Sequence, residues 1–455
     1  MLARPPSRVP RGDGVKDLSG WGRYPRLSGP LGTARDMGPA ATATATMPGV
    51  TARGLGRSYG DAAIGRDNTI DATGLNRMQS FDPQTGILAV EAGVPLADII
   101  ATFLPQGYFP CAVPGTRFVT VGGMIASDVH GKNQHIHGTF GDHVAWLMLA
   151  LPDGRVMRCS PHEHADLFKA TIGGMGLTGT ILSAGFRLKQ VETGWIRQTT
   201  HVARNLSEAV TLLSQTANAT YTVAWIDVLA RGASLGRSLI LEGEHATADD
   251  LPWGDVKFPP STNGRLAVPM DMPGWLLNGM TVRAFNELYY RTGARKAGQT
   301  TTVPWDSYFF PLDGIAHWNR IYGRRGFVQH QCVIPMAQAE GVVSDILERI
   351  SSHGAGSFLA VLKRLAPGSG LMSFPMEGLT LALDMPFSDG LMPLLAEIDA
   401  LVVAADGRLY LAKDATQSRD TFAAGYLNLD LFRQLRNDIG ATGRMASKLS
   451  ERLGL

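Results

Sequence analysis

The sequence predicts an α+β protein, with a glycine-looped nucleotide-binding part joined to a cap built on an antiparallel sheet. Three observations carry that reading. Two segments crowd glycines and hydrogen-bonding side chains into short spans: Ala52-Arg-Gly-Leu-Gly-Arg-Ser-Tyr-Gly-Asp61, and the run from Pro114 to Asn133. Strand and helix patterns then mix irregularly through the middle of the chain, as in α+β folds. Finally, 455 residues are too many for one ordinary core and suggest two or three domains.

Taken in order, Met1 to Pro10 is basic and proline-rich with no apolar run behind it. Residues 1–18 are therefore expected to form a disordered arm rather than a signal peptide. Ala40-Ala-Thr-Ala-Thr-Ala-Thr-Met47 is low in complexity and reads as a packed segment of small side chains, an amphipathic turn or an edge strand. Residues 87–91 read as a strand, running through Gly93 into a helix whose Leu96, Ile99, Ile100 and Phe103 share one face. The apolar run 144–151, then Pro152-Asp-Gly154 and residues 155–158, signals a hairpin. Leu182, Ala184, Phe186 and Leu188 alternate as in a half-buried strand. Past residue 192 the texture changes. Strand patterns fall at 221–228, 327–334, 357–363 and 379–385, with a helix pattern at 339–350. An irregular Pro/Gly-rich stretch near 251–275 reads as a surface loop or mobile lid.

Composition narrows the function classes. A formal charge of +2 gives no case for a nucleic-acid partner. No stretch approaches the length of a membrane-spanning helix, so a cytoplasmic or peripheral membrane location is expected. Cys111, Cys159 and Cys332 stand far apart, which argues against a disulfide framework and suits a reducing compartment. His130, His135, His137 and His143, and the His162-Glu-His164 run, lack H-E-x-x-H or C-x-x-C company, so no metal is expected. A G-x-G-x-x-G opening a helix after a strand is also missing, which disfavours a Rossmann-type NAD enzyme.

Backbone N–H groups approach a phosphate closely only where no Cβ intervenes, so the two glycine loops suit a diphosphate. Together they point to a bound dinucleotide. Their wording resembles the FAD-binding halves of the vanillyl-alcohol oxidase/PCMH flavoprotein superfamily. Within it the chain is similar to the oxidases of polyprenylphosphoryl riboses, through Gly20-Trp-Gly-Arg23, Thr171-Ile-Gly-Gly174, Gly176-Leu-Thr-Gly179, residues 327–335 and Leu409-Tyr-Leu-Ala-Lys-Asp414. The resemblance implies a PCMH-type FAD domain at 19–192, a substrate-binding cap at 193–405 and a return to the FAD domain at 406–455. It implies oxidation of the 2′-hydroxyl of a polyprenylphosphoryl-β-D-ribose to a ketone. A separate short-chain NAD(P)H reductase would then complete epimerisation to an arabinose donor. The alternative is an O2-using oxidase of another sugar, alditol or lactone. The resemblance also allows a periplasmic membrane face.

By the same resemblance, Arg53, Gly54, Leu55, Gly56, Arg57, Ser58, Tyr59, Gly60 and Asp61 form the first cofactor loop. Gly115, Thr120, Val121, Gly122, Gly123, Ser127, Asp128, Val129 and His130 form the second, with Ile181 at the adenine end and Tyr410 near the isoalloxazine. Many superfamily members carry a flavin-tethering histidine at the position of Tyr59, so a phenol there implies non-covalent FAD. Catalytic candidates are Lys413, His130 and Tyr59; substrate candidates are Lys132, Gln329, Gln331, Lys363, Thr380 and Lys413. Read without the resemblance, Lys413 is better taken as a surface ion-pair partner of Asp414. Gln329 and Gln331 stand two apart and share a strand face, apt for sugar hydroxyls. Lys363, on a face with Leu359 and Val361, either snorkels to water or meets a phosphate. Ala382 and Thr380 replace a cysteine and an asparagine found in the similar oxidases, which bears on substrate fit.

Overall fold

Parallel strands need a crossover between them, and the first of these shapes the N-terminal end. In the computed structural model, which describes residues 14–252, 254–261, 266–354 and 356–455, a four-stranded sheet runs in the order Val15–Ser19, Arg26–Thr33, Asn68–Asp71, Val50–Arg53. Its first pairing is antiparallel and the other two are parallel. Helix Met37–Thr46 makes the crossover. The Ala/Thr tract is thus helical, not a turn or an edge strand. It buries Ala40, Ala43 and Thr44 at helical spacing, and the Thr44 hydroxyl donates to Thr180 Oγ1 at 2.7 Å. The expected arm is corrected as well: strand Val15–Ser19 begins inside it, while residues 1–13 lie outside the described residues.

A second, antiparallel sheet follows the order Met78–Asp82, Ile87–Glu91, Thr180–Gln190, Val144–Ala150, Val156–Cys159, with Tyr108–Pro110 added on Thr180–Gln190. The long strand differs from the half-buried expectation, because its first seven residues are all buried. Leu182 packs with Ala40 and Ala43 of the alanine-rich helix. Ala184, Phe186 and Leu188 join the core around helix Leu96–Phe103.

The third sheet is wholly antiparallel, in the order Thr300–Pro304, Trp195–Ala203, Ser238–His245, Tyr221–Ile226, Ala360–Leu365, Gly378–Pro386, Phe327–Pro335, Arg408–Leu409. Period-two alternation divides its side chains between two faces. Val328, Cys332, Leu362, Leu379, Leu381 and Leu383 pack under helices Leu206–Gln215, Met336–His353 and Leu391–Ala404. Each buried Leu or Ile there contributes about 1.5–3 kcal/mol. Their neighbours on the opposite face, among them Gln329, Gln331, Val361, Lys363 and Ala382, look into a cavity toward the glycine loops.

The C-terminal stretch knits these parts together. Arg408–Leu409 pairs with Phe327–Pro335, Tyr59 N–H donates to Ala412 O at 2.9 Å, and Val50 N–H donates to Arg444 O at 2.8 Å. Of the stretch near 251–275, residues 253 and 262–265 lie outside the described residues, and the rest is mostly irregular. Leu266–Ala267 pairs in parallel with Ile315–Ala316, which tethers it to the cavity wall.

Candidate active site

A cavity of about 810 Å³ lies between the two glycine loops and the inner face of the eight-stranded sheet, a size typical of small-molecule sites. The loops meet at Gly54, where a Cβ would fall 2.2 Å from Thr120 Oγ1. Gly56 follows with φ +63°, a conformation costly for any residue with a Cβ. Ala52, Ala62, Ala72, Ala92 and Gly179 complete a wall of small residues that leaves room for a broad ligand.

Most of the predicted cofactor residues line this cavity: Gly54, Leu55, Gly56, Arg57, Ser58, Tyr59, Gly115, Thr120, Gly122, Gly123, Ser127, Val129, His130, Ile181 and Tyr410. Arg53, Gly60, Asp61, Val121 and Asp128 do not. The Arg53 guanidinium turns back to Ser19 O at 2.7 Å. Asp61 pairs with Arg452, and Val121 sits in the core. Gly60 is where the first loop crosses the C-terminal stretch; a Cβ there would fall 2.0 Å from Asp414 O. Asp128 is fully buried behind the wall, accepting from Gly141 N–H at 3.0 Å and from the Ser373 hydroxyl. Burial pushes its carboxyl up to about 6.

Lys132, Gln329, Gln331, Lys363 and Lys413 also line the cavity. Thr380 does not. It sits one layer back, donating to Cys332 O at 2.7 Å and accepting from Gln331 Nε2 at 3.2 Å. Gln331 Nε2 also donates to His130 Nε2 at 3.0 Å. That bond assigns the His130 proton to Nδ1, which is buried without a partner. Burial, with Lys363 and Lys413 nearby, holds His130 well below the usual histidine range, so the ring is neutral. Tyr410 donates to Ser127 O at 2.8 Å and stacks on Phe374.

Three lysines with no ion pair among the described residues set the electrostatics. Lys132 donates to the Tyr308 carbonyl, with its ammonium 4.3 Å from the Tyr308 ring centroid. Burial and Lys363 bring it down to about 7. Burial brings Lys363 down to about 8. Lys413 stands with its nitrogen 3.9 Å from the Tyr59 ring centroid. It falls to about 7, lowered by burial and by Lys363 and partly restored by Asp384. The alternative partner, Asp414, is engaged elsewhere: it pairs with Arg452 at 2.9 Å.

Sequence reasoning missed Asp384. It is fully buried, accepts a hydrogen bond from Gln329 Nε2, and is pushed up to about 7, chiefly by burial. Its signal was parity: Asp384 stands two residues beyond Ala382 on a strand whose odd positions are Leu379, Leu381 and Leu383. Trp21, Trp318 and Asp313 were missed too; each lies far in sequence from a glycine loop yet lines the cavity. The Arg57 guanidinium lies 4.0 Å from the Trp21 ring.

The residues present fit an FAD. The loops leave a cradle of small residues, and a Cβ on Gly115 would meet only open space. His130 Nδ1 and Gln329 Oε1, on cavity-lining residues, are buried polar atoms with no partner among the described residues and are available to a ligand. Comparisons with known proteins agree. Residues 40–160 match the family described as an FAD binding domain. The chain is 37% identical to decaprenylphosphoryl-beta-D-ribose oxidase of Mycolicibacterium smegmatis over 453 residues, covering 97% of this chain and 98% of that one. Likeness to mouse L-gulonolactone oxidase is 32% over 130 residues, 29% of either chain. For the carbohydrate oxidase of Microdochium nivale it is 35% over 123 residues, 26% of this chain and 25% of that one. The short matches share only a part, whereas the first spans nearly the whole of both chains: the chain belongs to the decaprenylphosphoryl-β-D-ribose oxidase family of FAD-binding oxidoreductases.

Proposed function

We propose that this protein oxidises the 2′-hydroxyl of a polyprenylphosphoryl-β-D-ribose to the 2′-keto sugar, the first half of an epimerisation to the arabinose donor. The observation that carries the reading is one cavity in which three lysines that make no ion pair among the described residues, and two glutamines, face the glycine-loop cradle. An anionic, hydroxyl-rich ligand matches that lining; an uncharged sugar leaves the cations unanswered.

When bound, FAD supplies the two-electron acceptor for the hydrogen on C2′. Gly54, Gly56, Ser58 and the Gly115–Gly123 loop would hold it, and with a phenol at Tyr59 it would be held without a tether there. The hydroxyl proton passes to the Lys413 amine, whose lowered pKa leaves a large neutral fraction near neutral pH. Asp384 acts through its field on Lys413 and through Gln329, whose amide it orients. Gln329 and Gln331 address ribose hydroxyls, while Lys132 and Lys363 meet the phosphate. The keto sugar then passes to a separate short-chain reductase.

Product analysis tests the reading. Holoenzyme incubated with farnesylphosphoryl-β-D-ribose is expected to yield a product two hydrogens lighter that forms an oxime with hydroxylamine. Turnover of free ribose, alditols or lactones in its place would move the function to the O2-using sugar and lactone oxidases.

A further inference from the structure

Around the irregular stretch and the helix after it, the molecule leaves its largest apolar side chains in solvent. Met270 is 65% exposed, Trp275 74%, Met280 77% and Leu288 68%, with Phe285 and Tyr289 at 45% and 42%. Isolated exposed apolar residues are ordinary, whereas a continuous set marks an interaction surface. Here the set has structural continuity. Asn278 caps helix Gly279–Ala294, accepting from Met280 and Thr281 N–H and donating to Trp275 O, which fixes Trp275 beside the helix start. Met280, Ala284 and Leu288 recur every four residues, with Phe285 and Tyr289 alongside at the same interval. The helix buries Val282 and Asn286 on its other side, so this stripe is presented outward.

The charges on the same element have one sign to spare. Arg283, Arg291, Arg295 and Lys296 follow the stripe. The acids of the region are already engaged, Glu287 with Arg237 and Arg291, and Asp271 with Arg23. Arg283, Arg295 and Lys296 make no ion pair among the described residues. The patch also adjoins the cavity. Tyr289 lines it, packing on Trp225 at 4.8 Å and on Phe285 at 5.9 Å, and exposed Leu266 pairs with the cavity-lining Ile315. No helix among the described residues is long and apolar enough to cross a membrane.

We infer that this surface, centred on Trp275, Met280 and Leu288, docks the protein on an anionic lipid bilayer, with the cavity mouth turned toward the membrane. An apolar stripe flanked by unpaired cations is the pattern that inserts at the acyl–headgroup boundary and draws on anionic headgroups. A polyprenyl tail could then stay in the bilayer while its sugar enters past Tyr289. The choice of a bilayer over a soluble partner rests on the proposed substrate.

The test is sedimentation of holoenzyme with vesicles of phosphatidylglycerol and phosphatidylcholine, without substrate. Wild type is expected to pellet with the anionic vesicles and far less with pure phosphatidylcholine. Trp275→Glu/Met280→Glu/Leu288→Glu should weaken binding at least about tenfold. Its flavin spectrum and its turnover of short-chain substrate in detergent should stay as in wild type. Should that variant fail to fold, Arg283→Gln/Arg295→Gln/Lys296→Gln serves instead and should lose the anionic preference. Failure of wild type to bind anionic vesicles, or undiminished binding by both variants, overturns the inference. Vesicle binding by a protein that does not oxidise the polyprenylphosphoryl ribose would leave the surface standing and remove the substrate.

Discussion

If Lys413 is the proton acceptor, its neighbours must tune the pH dependence of substrate oxidation in opposite directions. The neutral fraction of an amine with a pKa of about 7 rises from about 9% at pH 6 to about 91% at pH 8, so the rate should climb about tenfold across that span. Asp384 holds the Lys413 pKa up, and Lys363 pushes it down. Asp384→Asn should therefore move the inflection below that of wild type, and Lys363→Met should move it above. Lys413→Met should abolish the inflection and slow oxidation by about 10²–10⁴-fold. The assay is anaerobic stopped-flow decay of the oxidised-flavin absorbance from about pH 5.5 to about pH 9, roughly two units either side of the tuned group. Non-specific damage would slow both neighbours' variants without separating their inflections. Shifts of the same sign, or an inflection that survives in Lys413→Met, would refute proton transfer to Lys413.

Other sites give independent outcomes. Gly54→Ala places a methyl against Thr120 and should lower the flavin-to-protein absorbance ratio of purified protein while circular dichroism stays native. Lys132→Met should raise KM for a phosphorylated ribose more than it lowers kcat, since the ammonium meets the phosphate and not the reacting carbon. His330 and Asp399 form a buried pair at 2.8 Å under the helices. Burial, the largest single influence, would lower His330, but hydrogen bonding to Asp399 and Cys332 together with the charge attraction of both outweighs it and raises the ring to about 10. A raised folded-state pKa means stability fully present below the unfolded value and lost as pH rises through about 10. Asp399→Asn should accordingly cost about 3–5 kcal/mol near pH 6, with a smaller difference in melting temperature by pH 10. Ala382→Cys should add one thiol reactive with a small maleimide and shielded by bound substrate, since Cys111, Cys159 and Cys332 are buried.

What the sequence revealed, and what it hid, follows from the range of the interactions. Period-two alternation is local, so spacing alone put Gln329 and Gln331 on one face of their strand and Lys363 on a face with Leu359 and Val361 of another, and all five line the cavity. The alanine–threonine tract deceived because its stripe is made of residues that differ little in hydrophobicity. Only the packing of Ala40 and Ala43 under Leu182 reveals the helix. Arg53, Gly60 and Asp61 fell in a glycine loop and were read as lining, although their partners Ser19, Asp414 and Arg452 come from the chain's two ends. Asp384 escaped for a related reason. A lone carboxylate in a strand looks like a solvated edge until the fold removes its water and sets Gln329 and Lys413 beside it.

The most direct test of FAD-dependent sugar oxidation is the anaerobic absorbance spectrum of the purified protein before and after farnesylphosphoryl-β-D-ribose is added. Oxidised-flavin bands near ~450 nm that bleach on addition are expected, because the electrons from C2′ have no other acceptor. A flavin spectrum that substrate leaves unchanged, or a protein that shows no flavin band after reconstitution with FAD, would contradict it.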